Sequence, residues 1–289
     1  MWILFTLLAA FAQAWRNAWQ SKLSNDATTA SVTLARFILA SPLAGLYLWC
    51  LYQFQPAAEI TPNGAFLSYV LGASVMQIIA TGLMVVLFKQ NNYAIGAGLA
   101  KSEALVAAIL GVLFFGSSLT FLGWFGVFIG AVAVLLLSGF SLRACNGKTA
   151  LLGLACGTSF ALTSLWVREA SIASGLPFPH SAAWVLLLVL LSQTLILSLY
   201  LTAREPQSWK ILWQRRKLTL AISISSCVGS IGWFSAMSLE HVAYVKTLGQ
   251  IEVFFTLLIS FFWLKAPVKK RDSMGLLLIA VAAILVMLT

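Results

Sequence analysis

Apolar runs of about twenty residues follow one another along the whole chain, separated only by short polar breaks. This spacing limits what the chain can fold into more than any other feature. The hydrocarbon core of a bilayer is ~30 Å thick and asks for roughly 20 apolar residues per helix. The runs place helices at about 1–21, 29–52, 64–87, 93–115, 119–139, 149–170, 181–203, 217–238, 243–264 and 272–288. They are too long for membrane barrel strands of ~10 residues and do not alternate as such strands do. A helix closes its backbone hydrogen bonds within itself, which lipid requires. Of the 289 residues, 61% are hydrophobic and 9% charged, whereas soluble domains carry roughly 25% charged residues. A chain this apolar cannot cover a water-facing surface. The expected fold class is an all-α integral membrane protein of about ten transmembrane helices. The longest polar connection, about Arg204 to Lys217, is too short to fold alone.

The net charge of +10 raises the question of nucleic acid, and its distribution answers it. Followed through the expected helices, Lys22, Lys89, Arg143, Lys148, Arg204, Lys210, Arg215, Arg216, Lys217, Lys265, Lys269, Lys270 and Arg271 share one side of the membrane. Arg168 alone falls on the other, with Glu59, Glu169 and Glu240. Thirteen against one is a positive-inside bias. It makes the basic loops cytoplasmic and puts both termini opposite, with a bacterial inner membrane as the expected location. The bilayer is thus the partner that the charge implies, and nucleic acid is not.

No catalytic or cofactor motif is present: there is no P-loop, and the two histidines, His180 and His241, fall in expected loops. The chain reads as a non-enzyme without cofactor. Cys50, Cys145, Cys156 and Cys227 have no CxxC spacing and read as small apolar residues rather than metal ligands. Ala12-Gln13-Ala14 imitates a signal cleavage site, but Met1-Trp2-Ile3-Leu4-Phe5 lacks a basic n-region and the segment has a counterpart later in the chain.

That counterpart belongs to a repeat. A shift of 149 residues lays Asn92–Thr120 on His241–Lys269, and brings Glu103 onto Glu252, Gly126 onto Gly275 and Phe11 onto Phe160. The chain divides into a first five-helix repeat at 1–140 and a second at 149–289. An odd number of helices reverses the second copy, so the two are expected to be related by a two-fold axis in the membrane plane. Carriers built this way hold their substrates near the midplane at the repeat interface. The same shift relates Ser74, Gln77 and Thr81, on one helical face at i, i+3 and i+7, to Ser223, Ser226 and Ser230. The two stripes fit a shared path, and they equally fit hydrogen bonds between helices.

Four basic and two acidic residues remain inside the helices. Glu103 and Glu252 sit near mid-depth, where an ionised side chain costs ~2.5–3.5 kcal/mol to insert. Neither Lys101 with Glu103 nor Lys246 with Glu252 has the i,i+3 or i,i+4 spacing of a pair along one helix. The expected pairing is crossed, Lys101 with Glu252 and Lys246 with Glu103. Such carboxylates either lock the halves together or carry a proton, making protons a candidate coupling ion. Arg16 and Arg36 bring the intramembrane total to +2, which favours an anionic substrate, unless both side chains reach out to headgroups. Trp15, Trp19 and Trp233 lie deep or beside polar positions, where they either pack or stack on a substrate. Trp49, Trp184, Trp209 and Trp213 read as interface anchors. Gly126-xxx-Gly130 and Gly153-xxx-Gly157 fit close helix crossings.

Several segments carry a family resemblance: Ala35-Arg36-Phe37 with Ser41-Pro42-Leu43, the junction of the third and fourth helices, Gly123-Trp124-Phe125-Gly126-Val127-Phe128-Ile129-Gly130, Leu248-Gly249-Gln250-Ile251-Glu252-Val253 and Gly275-Leu276-Leu277-Leu278-Ile279. The chain resembles the EamA-like members of the drug/metabolite transporter superfamily. The resemblance implies ten helices, alternating access and a central cavity walled partly by the third, fourth, eighth and ninth helices. It also implies secondary transport, usually export, of a small molecule, and a site that includes Gln250. It places both termini in the cytoplasm; the charge bias, which belongs to this chain, points the other way. Gly116-Ser117-Ser118 stands where the family often has Gly-Glu-Arg, and Ser102-Glu103 where it often has Ser-Pro, so no substrate carries over. The reading is a gradient-driven carrier of a small polar or anionic metabolite. A lipid-headgroup flippase or scramblase and a non-transporting receptor or assembly subunit are the alternatives.

Overall fold

A computed structural model of the chain describes residues 1–58, 60–89, 100–137, 147–264 and 270–289. Arg143, Cys145, Lys265, Lys269, Glu59 and the junction of the expected third and fourth helices at 90–99 lie outside the described residues. Within them the chain forms thirteen helices and no strand. In chain order these are α1 (Trp2–Leu23), α2 (Thr29–Phe37), α3 (Ala40–Phe54), α4 (Gly64–Phe88), α5 (Glu103–Phe114), α6 (Phe121–Leu137), α7 (Gly147–Ala173), α8 (His180–Arg204), α9 (Gln207–Gln214), α10 (Arg216–Leu239), α11 (Val242–Gly249), α12 (Glu252–Leu264) and α13 (Lys270–Met287).

Six segments are long and apolar enough to cross a membrane: α2 with α3, α4, α7, α8, α10, and α11 continued into α12. Shorter apolar helices occur at Glu103–Phe114, Phe121–Leu136 and Met274–Met287. The surface suits lipid. Phe54, Phe121 and Leu288 are among many large apolar side chains left exposed on the outside.

Two of the expected helices are each broken in two. The first break, at Ile38–Leu39, has a covalent cause. Pro42 has no N–H to give the Ile38 carbonyl, and its ring crowds that carbonyl, so α2 stops and α3 starts afresh. The second break lies at Gln250–Ile251 and has no proline. There the backbone tightens to i→i+3 bonds, Gln250 N–H to Thr247 O at 3.2 Å and Ile251 N–H to Leu248 O at 3.1 Å. The Trp233 ring packs against Gly249, where a side chain has no room. In the other half, α5 begins at Glu103 after a turn at Lys101–Ser102. These positions correspond to Gln250–Ile251 at the 149-residue shift.

Packing is closest between α1 and α10, between α4 and α7, and between α6 and α13. Small residues make these crossings. A Cβ on Gly126 of α6 would lie 2.8 Å from Val286 Cγ2 of α13, and one on Gly232 of α10 would lie 2.6 Å from the Phe5 carbonyl of α1. Helix ends are tied across the bundle by side chains. Thr28, which caps α2 by accepting from Ser31 N–H at 3.2 Å, also donates to Glu205 at 2.6 Å beyond the end of α8. Asn63 caps α4 by accepting from Phe66 N–H at 2.7 Å and donates to the Ala173 carbonyl at 3.2 Å. The polar connection from Arg204 to Lys217 contains α9, and Arg215 beside it holds Asp26 at 2.8 Å.

Candidate functional site: a charged central cavity

The breaks bring charged side chains to helix ends. Glu103 and Glu252 each open a helix, α5 and α12, where the unpaired N–H groups and the macrodipole favour a carboxylate. Lys246 lies in the last turn of α11 and Arg36 in the last turn of α2, where the dipole favours a cation. A buried charge costs least at such ends. The discontinuous helices therefore explain how the chain carries four of its six interior ionisable groups.

The lysines and glutamates pair in the crossed manner. Lys101 meets Glu252 as a direct ion pair, and Lys246 lies 3.7 Å from Glu103. The two pairs differ in support. Glu252, only 3% exposed, also accepts from Gln13 Nε2 at 2.6 Å and from Asn17 Nδ2 at 2.8 Å. Gln13 in turn accepts from Trp233 Nε1 at 2.9 Å. Among the described residues Glu103 has no comparable shell. Its lysine rests instead on the Trp233 face, with Nζ 4.3 Å from the ring centroid. The repeat accounts for the difference: positions 162 and 166, which match Gln13 and Asn17 at the 149-residue shift, are Leu162 and Trp166.

A cavity of about 560 Å³, counted to its open mouth, lies among these groups. Gln13, Arg16 and Asn17 of α1 line one wall and Lys101 and Glu103 another; Trp233 and Lys246 close a third, and Arg36 and Gln77 a fourth. Arg16 uses Nε and Nη2 to hold Asn17 Oδ1, at 3.3 and 2.9 Å, and its Nη1 has no partner among the described residues. Arg36 donates from Nη1 to Thr81 Oγ1 at 2.7 Å, and its Nε has no partner among the described residues. Both arginines are 3% exposed, so neither reaches out to a headgroup.

The structure divides the remaining expected site residues. Gln77 and Ser230 line the cavity, and Thr81 orients Arg36. Ser74 donates to the Val70 carbonyl of its own helix and to Val189 of α8; Ser223 donates to the Ala35 carbonyl at 2.6 Å. These two serines bind helices together and stand apart from the cavity. Ser226 is fully buried with no hydrogen-bond partner and is also outside the lining. Gln250 is buried at the break without a partner for either amide atom and packs against Gly130 rather than lining the cavity. Trp15 and Trp19 stack on each other at 5.4 Å, outside the lining. Sequence reasoning missed Gln13 and Asn17. Their signal was available: Gln13, Arg16, Asn17 and Gln20 form one polar face at i, i+3, i+4 and i+7 of α1. Thr163 and Ser164 of α7, which also line the cavity, carried no such pattern.

A bundle of apolar, discontinuous helices around a buried charged cavity has the features of a membrane carrier. Residues 147–288 match the EamA-like transporter family. This second half of the chain is thus similar to an EamA-like transporter domain, part of the drug/metabolite transporter superfamily that the sequence resembles. No curated protein matches the chain significantly. Among 28 matching chains of solved structures, one crystal structure superposes with a TM-score of 0.69 at 15% identity, over 98% of this chain and 96% of the other. At that identity it shows the fold alone.

Proposed function

We propose that the protein is a secondary transporter that moves a small polar or anionic metabolite through this cavity by alternating access, in the export direction. The crossed ion pairs carry the reading. Each joins a cation of one half to the carboxylate that opens a helix of the other, and Lys101, Lys246 and Glu103 line one cavity. Rocking one half against the other therefore changes the surroundings of the charges, which is how a carrier links binding to movement. The packing supports an inverted repeat of two five-helix units, 1–140 and 149–289. Exchanging the halves turns the contact of α1 with α10 into that of α7 with α4, and turns α5 with α7 into α12 with α1. Ser41 Oγ donates to the carbonyl of Leu190 at 3.0 Å, a residue 149 positions on, as expected where the two-fold axis passes.

Glu103 is the carboxylate suited to proton coupling, since it has one partner to release where Glu252 has three donors. Uptake of a metabolite extract into liposomes holding the purified protein, with and without a proton gradient, tests the reading. Saturable uptake of a polar solute is expected. Uptake no greater than in empty liposomes, from protein shown to be folded, would refute it, and movement of labelled phospholipid alone would favour a headgroup flippase.

A further inference from the structure

Resting on that reading, we infer that the cavity takes a compact dianion, a dicarboxylate or a phosphate monoester, held between Arg16 and Arg36. The argument is one of charge. Four cations and one carboxylate, Glu103, line the cavity; Glu252 lies behind Lys101, and both carboxylates are spent on lysines. Among the described residues, Arg16 and Arg36 hydrogen-bond to neutral partners only, Asn17 and Thr81. Asn17 stands between Arg16 and Glu252, accepting from the first and donating to the second at 2.8 Å, so the guanidinium cannot take that carboxylate. The two arginines face the same cavity and lie within electrostatic reach of each other.

Each arginine also keeps one buried N–H without a partner among the described residues, Nη1 of Arg16 and Nε of Arg36. A guanidinium leaves such donors idle in a water-poor interior only at a cost, and oxyanions fit its fork. Two uncompensated charges call for two negative charges. A monoanion leaves one cation unpaired, and a zwitterion or a cation relieves neither. Residues 90–99, which adjoin the cavity in sequence, add no charged side chain to this count.

The test uses the full-length protein in detergent and in liposomes. Inorganic phosphate, glycerol 3-phosphate, succinate, acetate, alanine and choline are screened first for thermal stabilisation and then for counterflow. Succinate or a phosphate compound should stabilise the protein at concentrations roughly tenfold to a hundredfold below those of acetate, the ratio expected for one charged hydrogen-bonded contact. The phosphate and dicarboxylate arms separate the two sources of the dianion. Arg36→Gln should abolish that preference. Thr81→Asp, which sets a carboxylate beside Arg36 in place of a hydroxyl, should move it from dianions towards acetate; this second variant keeps the test open if the first does not fold. Stabilisation by alanine or choline with none by the dianions, or a Thr81→Asp protein with wild-type preference, would overturn the inference. Uptake of other solutes from an extract would then leave the transporter reading standing. Dianion binding without flux would do the reverse, and neither binding nor flux from folded protein would refute both.

Discussion

The two glutamates are related by the repeat but not by their surroundings, and substitution should expose the difference. In Glu252→Gln, three donors, from Gln13, Asn17 and Lys101, meet one amide oxygen and one NH2 group in place of two carboxylate oxygens. One donor loses its acceptor and the Lys101 ammonium is stranded. Removing one member of a buried pair costs ~3–5 kcal/mol. At ~2–4 °C per kcal/mol for a chain of roughly this size, the melting temperature should fall by roughly 6–20 °C. In Glu103→Gln, Lys246 loses a carboxylate at 3.7 Å but keeps the Trp233 face at 4.3 Å. A desolvated cation–π contact is worth ~2 kcal/mol, which leaves a net loss of ~1–3 kcal/mol. The assay is the melting temperature in detergent together with flux per folded protein in liposomes across pH. Glu252→Gln should lower the melting temperature about twice as far or more. Glu103→Gln should stay folded yet lose flux and its dependence on a proton gradient. Equal destabilisation by the two, or wild-type flux from folded Glu103→Gln at every pH, would refute the asymmetric roles.

Three further outcomes are expected. Gly232→Ala should destabilise by ~1–3 kcal/mol because the new methyl meets the Phe5 carbonyl, a backbone atom at 2.6 Å; Gly45→Ala, with only Leu187 Cδ1 at 3.8 Å, should be neutral or stabilising in the same melt. Burial first, and then the nearby Arg168, hold the His241 imidazole below its ordinary range against the opposing pull of Glu240. His241 thus stays neutral in the fold where it would protonate unfolded, so its stabilising share is present above pH ~6.5 and lost as pH falls below that; His241→Gln should flatten the acid side of a stability–pH curve. A reporter fused after Thr289 should be active only outside the cytoplasm, because the basic loops are expected on the cytoplasmic face, and a cytoplasm-only signal would reverse that orientation.

The helical fold and the crossed pairs were legible because each follows from a strong constraint. Long apolar runs admit little besides helices, and the spacing of Lys101 from Glu103 and of Lys246 from Glu252 forbids pairing along one helix. The break at Ile38–Leu39 was also open to reading, since Pro42 marks it. The break at Gln250–Ile251 was not, because it depends on Trp233 of α10 packing on Gly249, a contact between distant elements. The polar stripes misled in part for a related reason. Ser74 and Gln77 are three residues apart on one face, yet Ser74 donates to backbone carbonyls while Gln77 accepts from Gln193 at 2.7 Å and borders the cavity. Periodicity gives a face; what that face meets depends on the neighbouring helix.

Departures from the repeat matter more to this site than the repeat itself. Arg16, Arg36, Gln13 and Asn17 all belong to the first half, and the matching positions of the second hold Leu165, Val185, Leu162 and Trp166. The sequence repeat supplies two carboxylates at matching positions, each opening a helix after a turn. Were the halves identical, the carboxylates would share one set of partners and neither could be singled out for release. The chain instead surrounds Glu252 with polar atoms of α1 and leaves Glu103 with a single lysine. On the proposed mechanism, one carboxylate fixes the helix break while the other changes its partner as the halves move, and the inferred dianion answers the charge of the unmatched arginines.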